Sequence, residues 1–105
     1  DRGWRDLGFT VLPREYSLGQ NYPNPFNPIT TIRFDLPAAG HVVLEVYNVL
    51  GQKVKTLVDE HRTAGFHTAE WNSTDNRGVA VASGVYFYRM EAGNFSSYRK
   101  MLLLK

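Results

Sequence analysis

Cysteine is absent from the 105 residues, which excludes disulfides, thiolate metal sites and cysteine nucleophiles together. No apolar run approaches the roughly 18 residues that a membrane-spanning helix needs. Charge of one sign is scarce as well. Twelve Lys and Arg against ten Asp and Glu leave a formal +2, too thin an excess for the electrostatic footprint of nucleic-acid binding. The chain opens Asp1-Arg2-Gly3-Trp4 without a Met or a charged-then-apolar signal segment. It therefore reads as a piece of a longer polypeptide. What is present is a globular balance, 43% hydrophobic and 21% charged. The length fits one domain with one core and leaves little room for a deep catalytic cleft.

Glycines at positions 40, 51, 65, 78, 84 and 93 separate short apolar-rich segments, which is the rhythm of strands and turns. Ile32, Phe34 and Leu36 alternate against Thr31, Arg33 and Asp35. After a turn at Pro37–Gly40, Val42, Leu44 and Val46 alternate against Val43, Glu45 and Tyr47. Lys53 to Val58 predicts a third strand with Val54 and Val58 inward, followed by a polar connection from Asp59 to Gly65. Phe66 to Trp71 places His67, Ala69 and Trp71 on one face. Gly84 to Ala92 opposes Tyr86, Tyr88 and Met90 to Val85, Phe87, Arg89 and Glu91, and Phe95 to Leu104 closes the chain. With a short strand near Tyr16 to Gln20, about seven strands predict an all-β, immunoglobulin-like antiparallel sandwich without a disulfide. Trp71 and the Tyr86/Tyr88 face must then hold its centre. Residues 1–15 show no periodicity and read as linker from a preceding domain, leaving 16–105 as the domain.

Few motifs carry chemistry. Asn72 to Gly78 is dense in turn formers, but no register of it supplies the ligands of an EF-hand-type calcium loop, so it reads as a turn. His41, His61 and His67 lack metal-ligand spacing, no serine has a nucleophile-elbow context, and no glycine-rich phosphate loop occurs. No metal and no cofactor is expected, nor an enzyme.

Two features stand out. In Asn21-Tyr22-Pro23-Asn24-Pro25-Phe26-Asn27-Pro28, three prolines in six residues fix φ and remove backbone donors, which excludes a central strand. Phe26 is the large apolar side chain available to anchor it. Such a segment either laps over the end of the sandwich or, being stiff, offers itself for recognition with little entropy to lose. The other feature is the carboxyl end. Arg99, Lys100 and Lys105 bracket Met101-Leu102-Leu103-Leu104, with no acidic side chain from Ala92 onward. Alternation fails there, leaving open whether Met101 and Leu103 or Leu102 and Leu104 face the core. The strand is either buried on both faces or offers an edge to another protein, a second copy included.

Taken in order, these elements resemble the type A C-terminal sorting domains of the type IX secretion system, found in Bacteroidetes and their relatives. The resemblance runs from Tyr16-Ser17-Leu18 and Gln20 to Pro28, through Thr31-Ile32-Arg33-Phe34, Val46-Tyr47-Asn48-Val49-Leu50-Gly51 and Ser83 to Arg89, to Arg99–Lys105. It covers about residues 16 to 105. The resemblance implies a non-catalytic address at the end of a secreted protein. The outer-membrane translocon and a sortase-like peptidase would be its partners, and the amino-terminal passenger would reach the cell surface. By position, the recognition elements would be Pro23, Asn24, Pro25 and Phe26, then Gly84 and Tyr86, then Lys100, Met101, Leu102, Leu103, Leu104 and Lys105. Any cut would fall between about Asp1 and Tyr16. The immunoglobulin-like domains of flagellar hook-capping proteins are related sandwiches. Both groups favour Asp-Gly after the strand Trp, where this chain has Asn72-Ser73. Two other classes compete: a carbohydrate-binding accessory sandwich, with Trp4, Tyr47, Phe66 and Tyr98 as its aromatic platform, and a structural spacer.

Overall fold

The structure, a computed structural model, describes residues 11–105. Seven strands follow one another: β1 (Ser17–Leu18), β2 (Thr30–Leu36), β3 (Gly40–Tyr47), β4 (Lys53–Arg62), β5 (Gly65–Trp71), β6 (Gly84–Ala92) and β7 (Phe95–Leu103). They form two antiparallel sheets, β1-β2-β5 and β4-β3-β6-β7. The architecture is an immunoglobulin-like sandwich. Strand alternation accounts for its interior: Ile32, Phe34 and Leu36 of β2 face Val42, Leu44 and Val46 of β3 and Tyr86, Tyr88 and Met90 of β6, all buried. Trp71, fully buried, packs edge-on to Tyr86 with ring centroids 5.2 Å apart. An aromatic pair at this spacing holds the centre that a disulfide occupies in other sandwiches.

At the last strand, Met101 and Leu103 face the core, and Leu104 lies past the strand, exposed. Leu102 points to the outer face opposite Val85. β4 corrects the expectation of a connection from Asp59 to Gly65: the strand runs on to Arg62, and only Thr63 and Ala64 turn the chain. Pairing of Gly40–Val43 with Asp59–Arg62 extends it. Two register shifts leave Leu57 and Val54 as extra residues on β4. Glu60 and Arg62 sit on its inner side at the margin, ion-paired at 2.6 Å, with Arg62 over the Phe34 ring. Bulges and inward charge together blunt an edge strand against foreign pairing. At the β6–β7 turn, Gly93 has φ +56°, and a Cβ there would lie 2.9 Å from the Tyr16 hydroxyl, so any other residue would be strained and would push the Tyr16 ring aside.

Candidate functional site

The proline-rich segment joins β1 to β2 and lies as a strap along the free edge of β7. Tyr16 stacks on Phe95 with centroids 5.5 Å apart. Arg99 Nε donates to the Leu18 carbonyl at 2.6 Å, and Gln20 Nε2 donates to the Lys100 carbonyl at 2.9 Å. Further on, Leu102 N–H donates to Asn24 Oδ1, Phe26 N–H to the Leu102 carbonyl and Leu104 N–H to the Phe26 carbonyl, each at 3.0 Å. The last two bonds make a parallel bridge between Phe26 and Leu103. Residues 16 to 26 thus run in the same direction as residues 95 to 104, and an irregular seam covers the β7 edge.

Pro23, Pro25 and Pro28 have no N–H to leave unpaired, so the strap lies at a sheet edge without an orphaned proline donor. The three X–Pro bonds of the strap are cis. Phe26 is its anchor, 2% exposed and 5.8 Å from the Trp71 ring, whereas Tyr22 is 80% exposed. The segment therefore laps over the end of the sandwich and shows its prolines to solvent.

A buried polar network fixes the start of the strap. Tyr88 O–H donates to the Gly19 carbonyl at 2.7 Å and accepts Asn21 N–H at 2.8 Å. Asn21 Nδ2 donates to Thr30 Oγ1, which in turn donates to the Pro23 carbonyl, both at 2.9 Å. No buried side-chain polar atom among the described residues lacks a partner. Burial pushes the Tyr88 phenol up to about 12, against the opposing pull of Asn21 N–H and Arg99. This network was not legible in the sequence, because a tyrosine in an alternating strand carries no mark of what its hydroxyl meets.

The residues singled out from the sequence meet at this end. Gly84 pairs with Leu103 and Tyr86 with Met101, so β6, β7 and the strap lie side by side there. They divide by exposure. Phe26, Tyr86, Met101 and Leu103 are buried; Gly84 and Leu102 are half-buried; Pro23, Asn24, Pro25, Lys100, Leu104 and Lys105 are exposed. The buried four build the end, and the exposed six are its surface. Lys105 N–H donates to Ser83 Oγ at 3.0 Å and its ammonium to the Val81 carbonyl, tying the tail to the segment before β6.

Outside that end, the Asn72–Gly78 segment is a turn. Asp75 accepts the backbone N–H groups of Arg77 and Val79 at 2.9 and 3.0 Å and pairs with the Arg77 guanidinium. The Val79 and Arg77 donors hold its carboxyl below the ordinary aspartate value. No group of three or more metal-ligating side chains occurs among the described residues. Ser73 stands where the resembled families favour glycine, and its φ of 65° explains that preference. Its buried hydroxyl donates to the Pro28 carbonyl, which supports the conformation.

The four-residue aromatic platform does not form. Phe66 lies on the outer face of the three-stranded sheet opposite Asp35, whereas Tyr47 and Tyr98 lie on the outer face of the other sheet; Trp4 is outside the described residues. Their different strands decide this, since the two outer faces point away from each other. Tyr47 and Tyr98 instead flank Phe87 in a shallow groove of about 370 Å³ with Asn48, Val49, Gly51 and Arg89. Partial burial raises the Glu45 carboxyl beside it, but Lys53, Tyr47 and Thr56 outweigh that and hold it low.

Sheet order and core define an immunoglobulin-like β-sandwich module. The FlgD Ig-like domain family matches residues 28–96, well over half of the sequence. The chain belongs to that family. The strap up to Asn27 and the end of β7 lie outside the matched stretch. No curated protein matches the chain in sequence. Among solved structures it is similar to dimeric latent PorU from Porphyromonas gingivalis, with TM-score 0.68 and 20% identity over 88% of this chain and 10% of that one. It is also similar to PorZ of the same organism, a surface component of its type IX secretion system. There the TM-score is 0.56 and the identity 19%, over 86% of this chain and 11% of that one. At such identities the likeness is one of fold, and the chain spans about a tenth of either protein.

Proposed function

We propose that this domain is a non-catalytic sorting signal that directs a secreted passenger, encoded before it, through a type IX outer-membrane translocon to the cell surface. A sortase-like peptidase acting between about residues 1 and 16 would release the passenger or exchange the domain for a surface anchor. The observation that carries this reading is the meeting of Pro23–Phe26, Gly84, Tyr86 and Lys100–Lys105 at one end of the sandwich. Segments about 80 apart in sequence are bonded there. The kinship of fold with PorU and PorZ supports the same setting.

The test is a secretion assay in a type IX-competent bacterium, with residues 14–105 fused behind a periplasm-targeted fluorescent reporter. Deleting Lys100–Lys105 would also remove the buried Met101 and Leu103, so the informative partner is Leu104→Glu with Lys105→Glu, both at exposed positions. Surface or medium signal from the parent and periplasmic retention of the folded variant are expected. Equal retention of both, with the domain folded, would sink the sorting reading.

A second reading rests on the Tyr47–Phe87–Tyr98 groove, whose aromatic lining suits a sugar ring. Polysaccharide pull-down with Tyr98→Ala as control separates the two.

A further inference from the structure

The outer face of the four-stranded sheet carries a block of side chains whose order the ladder dictates. Residues directly opposite one another in adjacent strands point to the same side. Tyr47, Phe87 and Lys100 stand in one such row across β3, β6 and β7, and Glu45, Arg89 and Tyr98 stand in the next. The rings of Tyr47, Phe87 and Tyr98 thus follow one another across three strands. Phe87 and Tyr98 lie 6.5 Å apart and tilted by 61°, so they wall a groove and do not make one flat stacking surface.

The groove is held in shape by bonds of its own. Beyond Tyr47, Asn48 Oδ1 accepts the N–H groups of Leu50 and Gln52 at 2.9 and 3.0 Å, and Gly51 N–H reaches the Asn48 carbonyl at 3.0 Å. Tyr47 O–H donates to Glu45 at 2.8 Å. A site shaped before binding has little ordering left to lose. The volume of about 370 Å³ lies at the small end of the roughly 300–1,000 Å³ of small-molecule sites, which is the size for a short saccharide.

Charge narrows the ligand class. The two rows that hold the rings contain three cations, Lys53, Arg89 and Lys100, and one acid, Glu45. Lys53 pairs with Glu45 at 2.9 Å, and Arg89 pairs with Glu91 of the next row at 2.7 Å. That pair engages one guanidinium nitrogen, and a guanidinium has five N–H donors. Lys100, exposed and opposite Phe87, carries the charge left over. A phosphate backbone calls for a broader positive field than a formal +2 supplies. A single carboxylate calls for one cation beside the ring.

We propose that the Tyr47–Phe87–Tyr98 groove binds a short stretch of an acidic polysaccharide. A hexuronate ring packs on Phe87 and Tyr98, with its carboxylate toward Lys100 and Arg89. This rests on the second reading above, that the groove takes a sugar ring, and adds the charge of that sugar.

The test is an amide-shift titration of the isotope-labelled 105-residue chain with trigalacturonate and with its full methyl ester, which keeps the rings and removes the charge. The amides of Phe87, Arg89 and Tyr98 are expected to shift with both. The acid is expected to bind about three- to fivefold tighter, the span that an exposed ion pair supplies. Salt at about 1 M, where the screening length falls to roughly 3 Å, brings the acid down to the ester. Lys100→Gln narrows the difference at low salt and leaves ester binding alone, whereas Tyr98→Ala weakens both ligands. Both substitutions fall at exposed positions and leave the core untouched.

Equal binding of acid and ester overturns the charge assignment and leaves the sugar reading standing. No shift with either ligand, with the domain folded by its amide spectrum, removes both. The full advantage of the acid persisting in Lys100→Gln overturns the placement of the carboxylate. A short oligothymidylate that displaces the acid from these residues would assign the face to single-stranded nucleic acid and overturn the saccharide.

Discussion

Asn24 and Asn76 do the same work at opposite edges of the four-stranded sheet. Asn24 Oδ1 accepts the N–H of Leu102 on β7, and Asn76 Oδ1 accepts the N–H of Thr56 on β4, both at 3.0 Å. Each belongs to a segment that also supplies a backbone donor to the same edge: Phe26 N–H to the Leu102 carbonyl, and Asn76 N–H to the Val54 carbonyl. Neither edge is paired with a strand at that point, and a carboxamide stands in for the missing neighbour.

Asn76→Ala removes the acceptor from Thr56 and is expected to cost about 0.5–1.5 kcal/mol, the net worth of one such bond. Asn76→Asp keeps the acceptor and loses less. Urea unfolding of the two variants against the parent checks the order.

Tyr88→Phe leaves Asn21 N–H and the Gly19 carbonyl without their partner. Asn21 is buried and Gly19 half-buried at the core end, so a loss of about 1–3 kcal/mol is expected. The pH dependence has a definite sign. The phenol is raised to about 12 in the fold from a reference of 10.0, so its contribution is complete below pH 10 and declines as pH climbs toward 12. In Tyr88→Phe the corresponding fall in melting temperature is smaller, which a thermal melt series over that window measures.

Ser73 separates strain from hydrogen bonding. Ser73→Ala keeps the left-handed backbone and loses the bond to the Pro28 carbonyl; about 1–3 kcal/mol is expected. Ser73→Gly loses the same bond but relieves roughly 1–2 kcal/mol of backbone cost. The glycine variant is therefore expected to be the more stable of the two. Chemical denaturation ranks them, and the reverse order would show that the Ser73 conformation carries no strain.

Acid reaches the Asp75 turn late. Its carboxyl lies below the reference of 3.8, so the turn contributes fully above that pH and loosens as pH falls through the lower folded value. The amide signals of Arg77 and Val79 are expected to titrate together with a midpoint under 3.8, and Asp75→Asn abolishes the transition. A midpoint at or above 3.8 would contradict the bonding described.

Much of the sandwich is legible as alternation, because β2, β3 and β6 each have one buried and one wet face. Ile32, Val42 and Tyr86 announce the core by position alone. Phe26 was legible as an anchor for lack of any rival in its segment. The far half of β4 was not: Asp59 to Arg62 pairs along the sandwich margin, where inner positions carry charge and no apolar face develops. The face of β7 was undecided, since Leu102 and Leu104 are as apolar as Met101 and Leu103. The strap's partners were invisible for another reason. Asn24 and Leu102 are 78 residues apart, and no local pattern encodes such a bond.

The seam between residues 16–26 and 95–104 also makes the first and last parts of the domain one another's completion. A chain cut short before Leu102 would lack the bonds that seat Asn24 and Phe26, leaving an aromatic ring and the socket beside Trp71 uncovered. The last strand of the domain is thus the cover of its first segment, and a copy truncated within that strand carries an apolar ring with nothing to pack against.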